Sequence, residues 1–224
     1  MELRRLFPDP ATITVDEAAS GLRFSERAPA ARPFIAVNMV SSADGKATLA
    51  GRTAPMSAPA DRELFHHLRT QADGILVGAG TVRVERYGPV TKAPDLQAKR
   101  EREGVRPDAL AVIATRTGNL PTDLPLLARR PDSVRFVSNL GEDLAELRAS
   151  GIRSLLCEGG PHLNAALFAE GLVDELFLTI APLIAGPGEH LTIVEGPVLP
   201  ETVDLELLTL HEADGHLFVR YRVS

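Results

Sequence analysis

Short apolar runs alternate with helix-like stripes along most of this chain, and that alternation restricts its fold more than any other feature. Apolar runs at 33–40, 74–77, 109–114, 134–137, 153–157 and 175–181 read as strands. The first is nearly continuous in apolar residues, which suits a strand buried on both faces. Between them lie helical patterns. One starts at Ser57 and turns Leu64, Phe65 and Leu68 inward, another opens after Gly78, and others cover 143–150 and 161–170. Residues 205–211 and 216–223 flank Asp214-Gly215 as an antiparallel hairpin. The order implies an α/β class, with three layers around a mostly parallel sheet that closes on a C-terminal antiparallel hairpin. Residues 1–32 read as an irregular lead-in and 33–224 as one domain, because two cores would be small at 224 residues. The charge-dense stretch 92–108 lacks apolar periodicity and reads as a solvated excursion.

Thirty acids against 24 Lys and Arg leave a formal charge of −6. That balance argues against a partner held by electrostatics alone, such as nucleic acid or an anionic membrane. No apolar stretch has the length of a signal peptide or a bilayer span, so a soluble, cytoplasmic protein is expected. One cysteine builds neither a disulfide framework nor a zinc site, and the histidines lack metal spacing, so no metal is expected.

Two junctions between strand, glycine and helix stand out. At Glu158-Gly159-Gly160-Pro161 the proline suits a first helical turn, and glycines there expose backbone N–H groups able to hold phosphate. A plain tight turn would need fewer glycines and no acid. At residues 78–83 the sequence GAGTVR fails the dinucleotide fingerprint GxGxxG at its third glycine, so a standard NAD-type site is not expected. Thr115 and Arg116 close another strand, where an arginine fork can clamp phosphate or simply be solvated. Asp44, Glu85 and Glu158 sit near strand or helix ends, as ligands, caps or surface charges. Cys157 reads as a small buried apolar residue, and no GxSxG elbow supports a serine hydrolase.

Five pieces in order resemble the riboflavin-biosynthesis pyrimidine reductases, the C-terminal domain of bacterial deaminase–reductase proteins. They are Ser42-Ala-Asp-Gly-Lys46, Leu68-Arg69 with Gln71-Ala-Asp73, the segment from Ile75 to Val82, Glu158-Gly-Gly-Pro161, and Gly171-Leu-Val-Asp-Glu-Leu176. The resemblance spans about residues 33–222 and implies a dihydrofolate reductase-like fold, NADPH as cofactor and a homodimer. It lacks the deaminase half, whose zinc motif needs paired cysteines.

Carried over residue by residue, the resemblance sets the pyrophosphate against Gly159, Gly160, Pro161, His162 and Leu163, with Thr81 also touching the cofactor. It gives Thr115 and Arg116 the 2′-phosphate, and Arg69, Asn38 and Glu85 the substrate side. Glu158 would face the reacting sugar as an acid–base group, with Asp44 opposite it on a mobile loop that borders the nicotinamide. Two departures stand out. The family's Asp-Asn-Pro or Asp-Asp-Pro segment is here Val84-Glu85-Arg86-Tyr87-Gly88-Pro89, and the arginine that follows it has no clear counterpart. The implied reaction reduces the ribose of 5-amino-6-(5-phosphoribosylamino)uracil to ribitol. Two alternatives stay open: a dihydrofolate or other pterin reductase on the same fold, and a nucleotide-binding module without turnover.

Overall fold

The computed structural model describes residues 1–88, 90–91, 93–118, 120–121, 123–126 and 133–224. Among the described residues the strands are β1 (Glu2–Phe7), β2 (Ala11–Thr14), β3 (Phe34–Ser42), β4 (Gly74–Gly78), β5 (Leu110–Ala114), β6 (Val134–Val137), β7 (Ser154–Cys157), β8 (Glu175–Ala181), β9 (Leu205–Ala213) and β10 (His216–Val223). The helices are α1 (Val15–Ala18), α2 (Pro59–Leu68), α3 (Ala79–Glu85), α4 (Pro94–Arg102), α5 (Leu140–Ala149) and α6 (Pro161–Ala169). Backbone packing groups them into two compact units. One comprises Met1–Ala19, Val37–Phe65 and Pro161–Ser224, and the other Ser20–Ala36 and His66–Gly160.

In the second unit the strands lie in the order β7-β4-β5-β6, each pair parallel. Their residues are almost wholly apolar and buried, with Ile75, Leu76, Val112, Ile113, Leu155 and Leu156 all inaccessible to solvent. Asp73 ties the start of β4 to the start of β7. Its Oδ2 accepts from the backbone N–H groups of Arg153 (2.8 Å) and Ser154 (3.0 Å).

In the first unit the order is β2-β1-β9-β10-β8, all antiparallel. Register sets Thr179, Phe218 and His211 abreast on one face, and Leu178, Val219 and Leu210 abreast on the other. Ile180 with Leu217, and Leu176 with Tyr221 and Leu207, extend the second face.

The α/β class, the parallel strands and the closing hairpin match the expectation from sequence. Three local readings need correction. Residues 1–32 are not irregular: they hold β1, β2 and α1, the last closed by a capping box between Thr14 and Glu17. Within 92–108, residues 94–102 form α4 rather than a solvated excursion, with Arg100 fully buried. The cause is Arg100's guanidinium, which donates to the carbonyls of Arg69, Asp73 and Arg106 and so replaces its lost hydration. Residue Lys92 lies outside the described residues. Helix α5 begins three residues before 143, because Asp143 Oδ2 accepts from the N–H groups of Ser138 and Asn139 and ties down the chain ahead of it.

Candidate functional site

The carboxyl ends of the parallel strands in the second unit gather six of the thirteen predicted residues. Register places Gly78 of β4 beside Ala114 of β5, and Ala114 beside Val137 of β6. Glu158, directly after β7, donates its N–H to the Leu76 carbonyl at 2.9 Å, and Gly78 donates to the Gly159 carbonyl at 2.7 Å. Thr81, Thr115, Arg116, Glu158, Gly159 and Gly160 thus follow strand ends on one sheet edge, the edge where α/β sheets bind ligands.

Both glycines of the turn answer to geometry. Gly159 has φ +80°, a conformation that side chains rarely adopt. A Cβ on Gly160 would lie 2.7 Å from Thr81 Oγ1, so the close approach expected at this turn comes first from the protein's own α3. Arg116 is exposed in the loop after β5, where the Thr115 N–H is fixed by the Val137 carbonyl at 2.8 Å.

Arg69 and Glu158 are brought together. Arg69 Nε and Nη2 donate to Glu158 Oε1 and Oε2 at 2.7 and 2.8 Å, and Nη1 donates to the Val90 carbonyl at 3.0 Å. The Tyr87 hydroxyl donates to Glu158 Oε2 at 2.5 Å, and the Arg69 guanidinium carbon lies 5.7 Å from the centroid of the Tyr87 ring. Burial alone would lower the Arg69 pKa, but the charge and hydrogen bonds of Glu158 outweigh it and leave it raised. Burial, and then the Glu158 charge, hold the Tyr87 phenol well above its ordinary range. Burial lowers the nearby His66 imidazole, with Arg69 adding to the effect. Arg69 is itself braced from behind, because its carbonyl accepts from Arg100.

Tyr87 was not among the predicted site residues. Its only signal was an aromatic ring in a charged segment of a chain with two tyrosines. Glu85, expected on the substrate side, is the exposed last residue of α3. Pro89, from the same segment, lies outside the described residues.

In the first unit, Asp44 takes a different part from the one expected. Its Oδ1 accepts from Ser42 Oγ (2.6 Å) and the Ala185 N–H (3.0 Å), and Oδ2 from the Gly186 N–H (2.9 Å). The Ser42 bond first, then the backbone donors, hold its carboxyl far below the usual carboxylate range. Such a group is a poor proton donor near neutral pH, and its loop is pinned rather than loose. The Ala43 and Ala47 N–H groups also donate to the carbonyls of Leu183 and Leu191.

Asn38 sits on β3 and lines a cavity of about 20 Å³ with Thr179, Thr209, His211 and Arg220, room for about one water. Arg220 is held bidentate by the buried Glu175 at 2.8 and 3.0 Å. Pro161 opens α6, and its carbonyl accepts from the Glu195 N–H at 3.2 Å. His162 Nδ1 lies 2.7 Å from the Glu195 carbonyl oxygen, and Leu163 is buried. Among the described residues, no helix is long and apolar enough to cross a membrane.

The family model for the RibD C-terminal domain matches residues 33–217. A 2,5-diamino-6-ribosylamino-4(3H)-pyrimidinone 5′-phosphate reductase of Methanothermobacter thermautotrophicus is 31% identical over 215 residues, covering 86% of this chain and 99% of that protein. Its counterpart of the same name in Archaeoglobus fulgidus is 28% identical over 191 residues, 74% of this chain and 87% of that one. The solved structure of a pyrimidine reductase-like protein from Corynebacterium diphtheriae overlays with a TM-score of 0.76 at 25% identity, covering 95% of this chain and 99% of that one. The shared fold is the expected dihydrofolate reductase-like one.

Proposed function

The chain belongs to the RibD C-terminal domain family, and on that premise we propose that it is an NADPH-dependent reductase of riboflavin biosynthesis. Its substrate is a 6-ribosylaminopyrimidine 5′-phosphate, whose ribose is reduced to the open ribitol chain. The observation that carries this reading is the relative matched over 99% of its length, whose name specifies a ribosylaminopyrimidinone phosphate. That name also refines the substrate. The compound expected from sequence carries an oxo group at C2 of the pyrimidine, and the relatives' compound carries an amino group there. The diamino compound is therefore the first to test.

The residues present fit a dinucleotide. The backbone at Gly159 and Gly160 carries no side chain, and the exposed Arg116 stands at a strand's carboxyl end, as a clamp for a 2′-phosphate would. Thr81, Thr115 and Arg116 would hold the cofactor with the two glycines. When bound, NADPH supplies the hydride. The chain must then orient C1′ of the sugar, which becomes an acceptor when the ribosylamine opens to an imine. In this reading Glu158, locked onto Arg69, is a fixed charged pair that orients the substrate, and Asp44 holds its loop instead of moving a proton.

The test measures NADPH oxidation with the diamino compound, the oxo compound and dihydrofolate side by side. Turnover of either ribosylaminopyrimidine supports the proposal. Turnover of dihydrofolate alone would put a pterin reductase in its place, and tight NADPH binding with no oxidation would indicate a binding module.

The same reading makes the chain a cytoplasmic homodimer. What supports pairing is the apolar sheet face of the first unit, where Leu178, Ile180, Leu207, Leu210, Leu217 and Tyr221 stay partly exposed. Apolar faces of that kind mark interaction sites. A solution mass equal to one chain would remove the dimer and leave the reductase untouched.

A further inference from the structure

Three donors converge on the Glu158 carboxylate, two from Arg69 and one from Tyr87. The Arg69 fork fixes the plane of the carboxylate, since two parallel bonds resist rotation about its last torsion. It leaves Oε2 with room for one more donor, and the Tyr87 hydroxyl takes that place at 2.5 Å. The side chains of Glu158 and Arg69 are 2% and 11% exposed, whereas Tyr87 is only partly buried.

Tyr87 does not arrive there on a flexible tether. The preceding Arg86 caps α3 in the left-handed region, at φ 47°. The Tyr87 N–H donates to the Val82 carbonyl at 3.3 Å, and its own carbonyl accepts from the Leu126 N–H at 3.0 Å. Backbone bonds on both sides of the residue therefore aim the phenol at Glu158.

We infer that Tyr87 is a positioning residue for the reduction: its hydroxyl fixes the Glu158 carboxylate on the Arg69 fork and sets the orientation of the pair. The inference rests on the reductase reading and adds a residue to it. Loss of the hydroxyl would leave Oε2 with a single donor and admit water beside a pair that is otherwise dry.

Tyr87→Phe is the test, because it keeps the ring over Arg69 and removes one oxygen. With the preferred pyrimidine substrate, kcat should fall about tenfold, the scale of one lost hydrogen bond to a charged group. The KM for NADPH should stay within about twofold, because that site is built from other residues. A merely structural role would shift the melting point and leave kcat of the folded protein unchanged, and that outcome overturns the inference. If the wild type reduces neither ribosylaminopyrimidine, the reductase reading fails, and the contact is tested without substrate. Burial and the Glu158 charge should then hold the Tyr87 proton through the ordinary phenol range, so wild type and Tyr87→Phe should show the same tyrosinate absorbance across it. One extra tyrosinate in the wild type would remove the bond to Glu158 and the inference with it.

Discussion

Arg69 and Glu158, 89 positions apart, meet through two parallel hydrogen bonds in a setting nearly closed to solvent. Breaking such a pair from one side leaves the other charge stranded. Arg69→Met should lower stability by about 3–5 kcal/mol, read as a fall in the denaturant midpoint. Arg69→Met combined with Glu158→Leu should recover much of that loss, since neither charge is then left alone, while turnover stays low. Full turnover in the double variant would make the pair structural only.

The turn at Gly160 should resist even a methyl group. Gly160→Ala would push its Cβ against Thr81 Oγ1 at 2.7 Å, and overpacking of this kind costs about 1–3 kcal/mol. Thr81→Ala in the same chain should relieve the clash and bring the melting point back. A melting point that stays low in the double variant would assign the cost to the backbone instead.

Arg116→Ala should separate the two nicotinamide cofactors. A charged hydrogen bond to phosphate is worth about 1.5–3 kcal/mol, so NADPH affinity should fall about one to two decades. NADH lacks the 2′-phosphate and should bind as before. Equal losses for both, by calorimetric titration, would move the clamp away from Arg116.

The Asp44 anchor has a pH signature. Its folded pKa lies below the ordinary 3.8 because Ser42 and the Ala185 and Gly186 N–H groups favour the charged form. The stability it adds is complete above the unfolded value and disappears as pH falls through the folded one. Asp44→Asn should therefore flatten the acid side of the melting-point profile below about pH 4 and leave the neutral side parallel to wild type. Identical acid limbs would show that the loop does not depend on this carboxylate.

How much of this could be read from the sequence depended on what buried each element. The parallel strands announced themselves, because residues such as Leu155 and Leu156 face apolar neighbours on both sides. Strand β1 did not: only Leu3 of its six residues is buried, and its partner β9 is nearly the whole chain away. Helix α4 stayed hidden for a different reason. Its most buried side chain is Arg100, which is held by carbonyl groups that no hydrophobic pattern reveals. The resemblance singled out Arg69 and Glu158 separately, but not that they would satisfy each other. Tyr87 could not be foreseen, because a hydroxyl finds its acceptor only once the chain has folded.

The sequence-discontinuous make-up of the two units bears on the order in which the chain can fold as it is synthesised. The second unit ends at Gly160, so its parallel strands can close while the last part of the chain is still being made. The first unit cannot close then. Its β1 waits for β9, and Arg4 waits for Glu212, 208 positions later. Contacts so distant in sequence are slow to form, so β1 has only β2 beside it until β9 has been made. In a ribosome-bound series of increasing length, protease resistance should appear first in the second unit, with residues 1–19 protected only after β9 and β10 have emerged.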